Sequence, residues 1–380
     1  MQRIYLDHAA TTAVRPEVLE AMLPYFGERG YNASSIHAEG RAARAALDDA
    51  RDAVARLLGA KRKEIVFTGS GSEADATALA GVARRSAGRG RHIVSTAIEH
   101  HAVLHALDAL RDEGFEITLL PVSARGEVSP AGFAAALRPD TILASVMYAN
   151  NEIGTVAPVA QLAAIARERG VLFHTDAVQA PGYLPLEVGP LGVDLLSISA
   201  HKFYGPKGVG ALFVRDGVGI EPLIRGGNQE FGRRAGTENV AGIVGLARAL
   251  ELTLTDREAR SAGIAALRDR LQAALVAGIP GLVVNGAGAP RLANNLSIAV
   301  PGVDSEQLVV RLDLEGVAVS AGSACASGAM EASHVIEAIG LPPSLAGGVL
   351  RLSLGRETDE RAVARVAELL PRLVAEMRAI

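Results

Sequence analysis

Short apolar runs alternate with Ala-rich stretches of helical periodicity through the middle of the chain. The alternation begins near residue 60 and ends with the run GVGALFVRDG near residue 217. The other apolar runs, rich in β-branched residues, are EIVFT, HIVST, FEITLLPV, TILASVMYA, VLFHTDAV and DLLSIS. This pattern predicts an α/β fold with a mainly parallel sheet and helices on both faces. Ligands of such sheets bind beyond the carboxyl ends of the strands.

The pattern changes after this alternating region. We expect a long helical stretch from about Glu238 to Ala277 and a closing helix from about Thr358. Between them lie the apolar runs NNLSIAV, VAVSAG and VLRLSL, with helical stretches near 304–314 and 331–339. The second region therefore predicts a smaller α+β domain packed on the first.

Composition and charge narrow the class of protein. Hydrophobic residues make up 49% of the chain, but polar residues interrupt every apolar run before the roughly 18 residues that a membrane span needs. The formal charge of −4 and the scattered arginines provide no basic surface for nucleic acid. The start, MQRIYLDHAATT, lacks the features of a secretory signal or a transit peptide. The single cysteine excludes an intrachain disulfide and a Cys-rich metal cluster. From these observations together, we expect a cytoplasmic protein with no membrane or nucleic-acid partner.

The segment TGSGSEAD, residues 68–75, lies between a predicted strand and a predicted helix. Its glycines allow a ligand to approach the backbone, and Ser72 lies near the helix N-terminus, where N–H groups and the helix dipole favour a phosphate. An ordinary turn with a helix cap is the alternative, since Gly and Ser are typical of both.

Lys202 follows the apolar strand DLLSIS, within SAHKFYGPKG at residues 199–208. Most lysines extend their amines to water, but this one lies where an α/β sheet collects its ligands. A lysine amine in such a place can form a Schiff base with an aldehyde cofactor.

Asp176 ends another apolar strand, in VLFHTDAVQ at residues 171–179. Its carboxylate either caps the following turn or, beneath a pyridine ring, keeps the ring nitrogen protonated.

The segment TGSGSEAD, Lys202 and Asp176 are each ambiguous when considered alone. Pyridoxal phosphate requires all three together: a phosphate site, a Schiff-base lysine and an acid for the ring nitrogen.

Nine motifs are spread from residue 5 to about residue 360: DHAATT, NASSIH, EHHAVL, NNEIGT, HTDAVQ, SAHKFYGPKG, RRAGTEN, SAGSACASG and RLSLGRET. Together they resemble the NifS/IscS-type cysteine desulfurases. These are homodimeric enzymes of the class V aminotransferase group, with PLP fold type I and pyridoxal 5'-phosphate as cofactor. The resemblance implies conversion of L-cysteine to L-alanine.

The resemblance also implies a role for each matching position. Lys202 is implied to form the Schiff base, Asp176 to contact the pyridinium nitrogen and His100 to stack on the cofactor ring. The remaining implied contacts are Gln179 with the phenolic oxygen, Gly71, Ser72, Ser199 and His201 with the phosphate, Thr237 with the phosphate of the other subunit, Asn151 with cofactor and substrate, and Asn32 and Arg351 with the substrate.

Three positions depart from the usual family residues. Ser72 stands where the family has Thr, Ala33 where it has Pro, and Ala76 where it has Asn. Because Ser72 keeps a hydroxyl group, we expect the phosphate contact to remain.

We expect a large cofactor-binding domain at residues 13–258 and a small domain, which carries Cys325, at residues 1–12 and 259–380.

Cys325 is the only cysteine and lies in SAGSACASGAM at residues 320–330. A lone cysteine is often a small buried hydrophobe, whereas in the family this loop carries a nucleophilic thiol. The loop resembles that of the NifS/IscS branch more than the short loop of the SufS branch. The resemblance therefore implies a persulfide on Cys325, delivered to an acceptor such as an iron–sulfur scaffold or a tRNA-thiolation relay protein. A thiol with a pKa of ~8.5 needs a proton acceptor, for which His100 and the substrate thiol are candidates.

Other functions are compatible with parts of this pattern. A transaminase, a β-lyase or a selenocysteine lyase of class V would keep Lys202 and Asp176 without needing a thiol at position 325. A sulfur-delivery or scaffold module with secondary catalysis is a further alternative. His101 and His105 have helical spacing, but no further ligands accompany them, so we expect no metal site.

Overall fold

The computed structural model describes residues 3–321 and 333–379. The strands in these ranges are β1 (Ile4–Tyr5), β2 (Ile65–Thr68), β3 (His92–Thr96), β4 (Glu116–Leu120), β5 (Thr141–Ser145), β6 (Leu172–Asp176), β7 (Leu195–Ser199), β8 (Gly210–Val214), β9 (Val283–Val284), β10 (Asn295–Ala299), β11 (Val317–Ala318), β12 (Ser320–Ala321) and β13 (Val349–Ser353). The α-helices are α1 (Pro16–Met22), α2 (Ala38–Leu58), α3 (Gly71–Ser86), α4 (His101–Asp112), α5 (Pro130–Ala136), α6 (Val159–Glu168), α7 (Val188–Leu191), α8 (Val240–Thr255), α9 (Arg257–Gly278), α10 (Ser305–Leu314), α11 (His334–Ala338), α12 (Pro343–Ala346) and α13 (Glu360–Arg378).

The central sheet has seven strands in the order β2–β8–β7–β6–β5–β3–β4. Neighbouring strands are parallel except where β8 pairs with β2 and with β7. Strands β2, β3, β5, β7 and β8 are buried along their whole length. Their near-continuous apolar sequences are required because both faces of the sheet are covered. The predicted α/β fold with a mainly parallel sheet is confirmed.

Helices cover the two faces of this sheet. On one face, Leu47 of α2 and Leu246 of α8 belong to the same buried cluster as Phe67 of β2. On the other face, Leu79 of α3 and Leu107 of α4 pack in a second cluster. Among the described helices, none is both long and apolar enough to cross a membrane.

A second, antiparallel sheet has the order β12–β13–β10–β9, and β1 pairs with β11 in parallel. The buried cluster of this region contains Leu271 of α9, Leu308 of α10 and Leu370 of α13, together with Leu6. Leu6 therefore packs with residues from the last third of the chain. This packing brings the following residues, 7–12, to the edge of the central sheet, where the N–H of Thr12 donates to the carbonyl of His201 at 2.8 Å.

The helical stretch expected between Glu238 and Ala277 is two helices, α8 and α9, rather than one. Asp256 separates them, with φ −119° and ψ 20° outside the helical range. Arg260 stabilises this break, because its guanidinium pairs with the Asp256 carboxylate and donates to the carbonyl of Thr253 at 2.6 Å.

Candidate active site

A cavity of about 370 Å³ lies at the carboxyl ends of the central strands. Its wall combines residues that follow β2, β3, β5, β6 and β7 with Arg351 of β13. Parallel strands end at the same edge of a sheet, which explains why distant segments of the chain meet here. Ten of the residues proposed from the sequence line this cavity: Gly71, Ser72, His100, Asn151, Asp176, Gln179, Ser199, His201, Lys202 and Arg351.

The N-terminus of α3 forms one wall. Ser70 caps this helix, since its Oγ accepts a hydrogen bond from the N–H of Glu73 at 3.1 Å. Gly71 packs closely against its neighbours: a Cβ at this position would lie 2.8 Å from Cγ2 of Val178 and 3.1 Å from Cβ of Ser199. The first N–H groups of a helix have no partner within it, so this wall is suited to an anion.

Lys202 lies just after β7, against the N-terminal segment. Its Nζ donates hydrogen bonds to the carbonyl oxygens of Ala9 at 2.6 Å and Ala10 at 2.8 Å. Nε2 of Gln179 also donates to the carbonyl of Ala9, at 2.9 Å. Two backbone carbonyls therefore hold the amine in the cavity. Sequence reasoning identified the motif DHAATT that contains them but gave Ala9 and Ala10 no role.

Two histidines of the cavity are neutral near pH 7. Burial and the positive charge of Lys202 lower the pKa of His100 to about 4 and the pKa of His201 to about 4. Nδ1 of His100 accepts a hydrogen bond from the N–H of Ala102 at 3.1 Å and caps α4. The neutral ring of His100 consequently carries its proton on Nε2. Nδ1 of His201 lies 3.1 Å from Oγ1 of Thr11.

Asp176 ends β6 at the cavity. One of its carboxylate oxygens accepts a hydrogen bond from the N–H of Val178 at 2.8 Å. Burial raises the pKa of Asp176 to about 6, although the hydrogen bond from Val178 and the charge of Lys202 act to lower it. Near pH 7 this carboxyl group is therefore mainly an anion, and a cationic ring nitrogen would balance its charge.

Asp75 also lines the cavity, and sequence reasoning did not identify it. It is 1% exposed, and its Oδ1 has no hydrogen-bond partner among the described residues. A signal was available in the sequence, since Asp75 lies four residues after Gly71 and so on the same face of the helix.

Arg351 reaches the cavity from β13. Its Nη2 pairs with Oδ1 of Asp7 at 2.9 Å, and its Nη1 donates to the carbonyl of Asn151 at 3.1 Å. Its Nε is buried and has no partner within the described ranges. A buried guanidinium with an unused N–H indicates a site for a small anion such as a carboxylate.

The start of α11 is attached beside the same cavity. Oγ of Ser333, the N-cap residue, donates a 2.6 Å hydrogen bond to Oε2 of Glu152, which lines the cavity. Nε2 of His334 lies 2.9 Å from the carbonyl oxygen of Glu99. Burial raises the pKa of Glu152 to about 7. Neither Glu152 nor Ser333 was identified from the sequence as a site residue.

The histidines next to the cavity form a small cluster. The ring of His101 lies 4.6 Å from that of His334 and 5.1 Å from that of His105, between centroids. No group of three or more His, Cys, Asp or Glu side chains in the part of the chain that the structure describes could hold a metal ion.

Two residues proposed for the site lie elsewhere. Asn32 is exposed, and its Oδ1 accepts a hydrogen bond from the N–H of Ser34 at 2.8 Å. Thr237 is also exposed and borders a separate cavity of about 150 Å³ beside Glu230. A third, Cys325, lies outside the described residues.

The fold and the cavity are those of a class V aminotransferase. The Aminotransferase class-V family profile matches residues 4–366, and the chain belongs to this family. Within the family, the chain is 48% identical to the cysteine desulfurase IscS of Dictyoglomus turgidum, over 100% of this chain and 96% of that protein. The resemblance stated from the sequence motifs is confirmed.

Solved structures agree with this assignment. A NifS-like protein superposes with a TM-score of 0.93 at 36% identity, over 99% of this chain and 100% of that chain. SspA in complex with cysteine superposes with a TM-score of 0.82 at 34% identity, over 92% of this chain and 98% of that chain.

Proposed function

We propose that this chain is a cysteine desulfurase that converts L-cysteine to L-alanine and transfers the sulfur to Cys325. The observation that carries the proposal is the presence of Lys202, Asp176 and Arg351 in one cavity. An amine, a buried carboxylate and a guanidinium with an unused N–H are the groups that an aldehyde cofactor and an amino-acid substrate need. The full-length relative named cysteine desulfurase and the SspA complex with cysteine support L-cysteine as that substrate.

The cavity fits pyridoxal phosphate as the cofactor. Two buried polar atoms of its wall, Oδ1 of Asp75 and Nε of Arg351, have no partner among the described residues, as is typical of a wall that faces a polar ligand. The N-terminus of α3 is open to a phosphate, and the Asp176 carboxylate is open to a ring nitrogen. The residues that would hold the cofactor are Gly71, Ser72, Ser199 and His201 at the phosphate, Gln179 at the phenolic oxygen, Asp176 at the ring nitrogen, and His100 and Asn151 at the ring.

Bound pyridoxal phosphate would supply an electron sink for the charge that develops at the substrate Cα. Arg351 binds the substrate carboxylate through its unused N–H and so fixes the orientation of the substrate. Lys202, as an uncharged amine, removes the Cα proton, for which its position between the sheet edge and the carbonyl of Ala9 is suited. The negative charge of Asp176 would stabilise a proton on the ring nitrogen of the bound cofactor.

Cys325 receives the sulfur in the second half of the reaction. Its thiolate attacks the substrate sulfur, so an S–S bond forms while the Cβ–S bond breaks and its electron pair stays with the carbon skeleton. Protonation at Cβ gives L-alanine, and the persulfide remains on Cys325. L-Cysteine and one thiol thus give L-alanine and one persulfide, with no further oxidant or reductant. A thiol reductant or an acceptor protein then removes the outer sulfur.

The proposal includes a homodimer and a sulfur acceptor. Asn32 and Thr237 lie outside the cavity of their own chain, where they could serve a second copy. Next to Asn32, the apolar residues Phe26, Tyr31 and Ile36 are 67%, 47% and 91% exposed. Such a surface fits a contact between two copies of the chain. The acceptor would be an iron–sulfur scaffold or a tRNA-thiolation relay protein that takes the persulfide sulfur from Cys325.

Simultaneous assay of alanine and sulfide tests the function. We expect the cofactor-loaded protein, given L-cysteine and a thiol reductant, to release both in equal amounts. Cys325→Ser should abolish both, and Lys202→Ala should reduce both by a factor of ~10³ because the proton acceptor is lost. Lys207→Ala, which removes a nearby lysine outside the cavity, is the matched control and should keep wild-type rates. Undiminished products from Cys325→Ser would assign the chain to another class V activity, such as that of a selenocysteine lyase or a transaminase.

A further inference from the structure

Three buried carboxyl groups line the cavity: Asp75 of α3, Asp176 of β6 and Glu152, which accepts a hydrogen bond from Ser333. The first two influence each other's charge. Asp75 is 1% exposed and Asp176 is 5% exposed. Asp176 accepts the N–H of Val178, whereas Oδ1 of Asp75 has no hydrogen-bond partner among the described residues. A buried carboxylate oxygen without a donor is costly, so Asp75 is the less favourable of the two places for a negative charge.

His174 does not act as a counter-ion for Asp75. Its Nε2 lies 3.6 Å from Oδ1 of Asp75. That separation is longer than the roughly 2.7–2.9 Å of a charge-assisted hydrogen bond. Both ring nitrogens are occupied by hydroxyl groups, Nδ1 by Ser145 at 2.9 Å and Nε2 by Ser197 at 3.0 Å. Burial also lowers the pKa of His174 to about 3, so the ring is neutral.

The other charged groups around the two carboxyl groups act unequally on them. The positive charge of Lys202 lowers the pKa of Asp176. Burial first, and then the negative charge of Asp176, raise the pKa of Asp75 well above its ordinary range, with a smaller contribution from Glu99. A hydrogen bond from Ser197 acts to lower that pKa. Glu99 is itself buried after β3, and burial raises its pKa to about 8. The cation and the backbone donor are thus at Asp176, while Asp75 is surrounded by neutral or acidic groups.

We propose that Asp75 is a positioning residue for Asp176: Asp75 holds a proton at neutral pH, so the single negative charge of the two groups lies on Asp176. The inference deepens the proposed function and rests on the placement of Asp176 at a cofactor nitrogen. A neutral Asp75 keeps a polar group in the cavity that solvates the Asp176 anion without competing for the same positive charge. An ionised Asp75 would instead raise the proton affinity of Asp176.

Infrared spectroscopy of the cofactor-loaded protein at neutral pH tests the proton itself. A protonated carboxyl group has a C=O band separate from the carboxylate bands. We expect Asp75→Asn to remove one such band and Glu99→Gln, the matched control, to remove a different one. Loss of carboxylate absorption in Asp75→Asn, with all protonated-carboxyl bands kept, would overturn the proposal.

A pH titration of the visible absorbance of the bound pyridoxal phosphate tests the effect on Asp176. Asp75→Asn keeps a neutral polar group and should leave the midpoint pH of this absorbance titration within about 0.3 pH unit of wild type. Asp75→Leu removes the polar group and should raise the midpoint pH by about one unit. A midpoint about one unit lower in Asp75→Asn would mean that Asp75 carried a charge. A wild-type midpoint in Asp75→Leu would remove the positioning role.

Asp176→Asn separates this inference from the proposed function. If that variant kept wild-type absorbance and alanine formation, the role of Asp176 in the proposed function would be wrong. The infrared band would still decide whether Asp75 holds a proton. Because Asp75→Asn is nearly isosteric, the band can be measured even if the leucine variant does not fold.

Discussion

Arg351 and Asp7 form a 2.9 Å ion pair at the cavity, with the arginine side chain only 3% exposed. The pair fixes one side of the guanidinium and leaves Nε unpartnered among the described residues. We expect Asp7→Asn to raise the KM for L-cysteine about tenfold with a smaller effect on kcat, because a charge-assisted contact that orients the carboxylate site is weakened. Steady-state kinetics with the cofactor saturating would measure this.

Asp313→Asn is the control for Asp7→Asn. Asp313 also pairs with an arginine, Arg3, but both side chains are more than half exposed. The control should keep the wild-type KM. An equal rise in both variants would mean that Asp7 has no special relation to the substrate site.

Gly71→Ala should weaken cofactor binding about tenfold, because the added methyl group would force the first turn of α3 away from its neighbours. The new Cβ would lie 2.8 Å from Cγ2 of Val178 and 3.1 Å from Cβ of Ser199. Titration of the apoprotein with pyridoxal phosphate, followed by absorbance, gives the Kd. Gly88→Ala, with no atom within 4 Å of the new Cβ, should bind like wild type. Identical Kd values for the two variants would contradict the close approach at Gly71.

Glu99→Gln should change how stability depends on pH. Burial raises the pKa of Glu99 to about 8 from an ordinary value of 4.5. The folded protein thus holds this proton more tightly than the unfolded chain, so the stabilisation is complete below about pH 4.5 and is lost as the pH rises through about 8. Relative to the glutamine variant, wild type should lose on the order of 4–5 kcal/mol of unfolding free energy as the pH rises from below about 4.5 to above about 8. Urea denaturation at several pH values measures it, and Glu337→Gln, at an exposed position, should parallel wild type.

Glu230→Gln should destabilise the protein by about 3–5 kcal/mol, because it leaves the buried charge of Arg51 uncompensated. The two side chains are each 3% exposed and form two hydrogen bonds of 2.6 and 2.7 Å. Asp52→Asn, which breaks an exposed pair with Arg62, should cost less than about 1 kcal/mol. Denaturant unfolding of the apoprotein would compare them. Equal losses would mean that the buried pair contributes no more than a surface pair.

Ile36→Asp should convert the proposed dimer to a monomer. The side chain is 91% exposed in the single chain, and a charge there would have to be desolvated in an interface. Leu314→Asp, at a residue that is 82% exposed on α10, should remain dimeric. Sedimentation velocity distinguishes the two masses. A dimeric Ile36→Asp protein would place the interface elsewhere. A monomeric wild type would exclude the dimer.

The central sheet could be predicted because its strands are short, almost wholly apolar and separated by helices. The same pattern located Lys202 and Asp176, since both follow such strands directly. Helix α2 was absent from the predicted pattern, because it precedes the first predicted strand, although Leu47 and Val54 recur on one face. The break at Asp256 was also missed, since it depends on a contact from Arg260 that follows it.

The contacts behind the catalytic groups could not be predicted for a different reason. Ala9 and Ala10 act through their carbonyl oxygens, which every residue has, so no side-chain pattern distinguishes them. Asp75 had a helical spacing that pointed to the cavity. The lack of a hydrogen-bond partner for its Oδ1 among the described residues, however, is seen only when β6 lies beside α3. Asn32 and Thr237 can be placed in a site only by a second copy of the chain, so their roles stay predictions.

The hydrogen bonds from Lys202 to Ala9 and Ala10 have a consequence for synthesis of the protein. The segment that holds the lysine is synthesised long before β13, yet Leu6 shares a buried cluster with Leu352 and the N–H of His8 donates to the carbonyl of Ser353. This segment therefore acquires its final position only after β13 has been made. A nascent chain can complete all seven strands of the central sheet before the carbonyls of Ala9 and Ala10 reach their final position, so productive capture of the cofactor should await synthesis of β13.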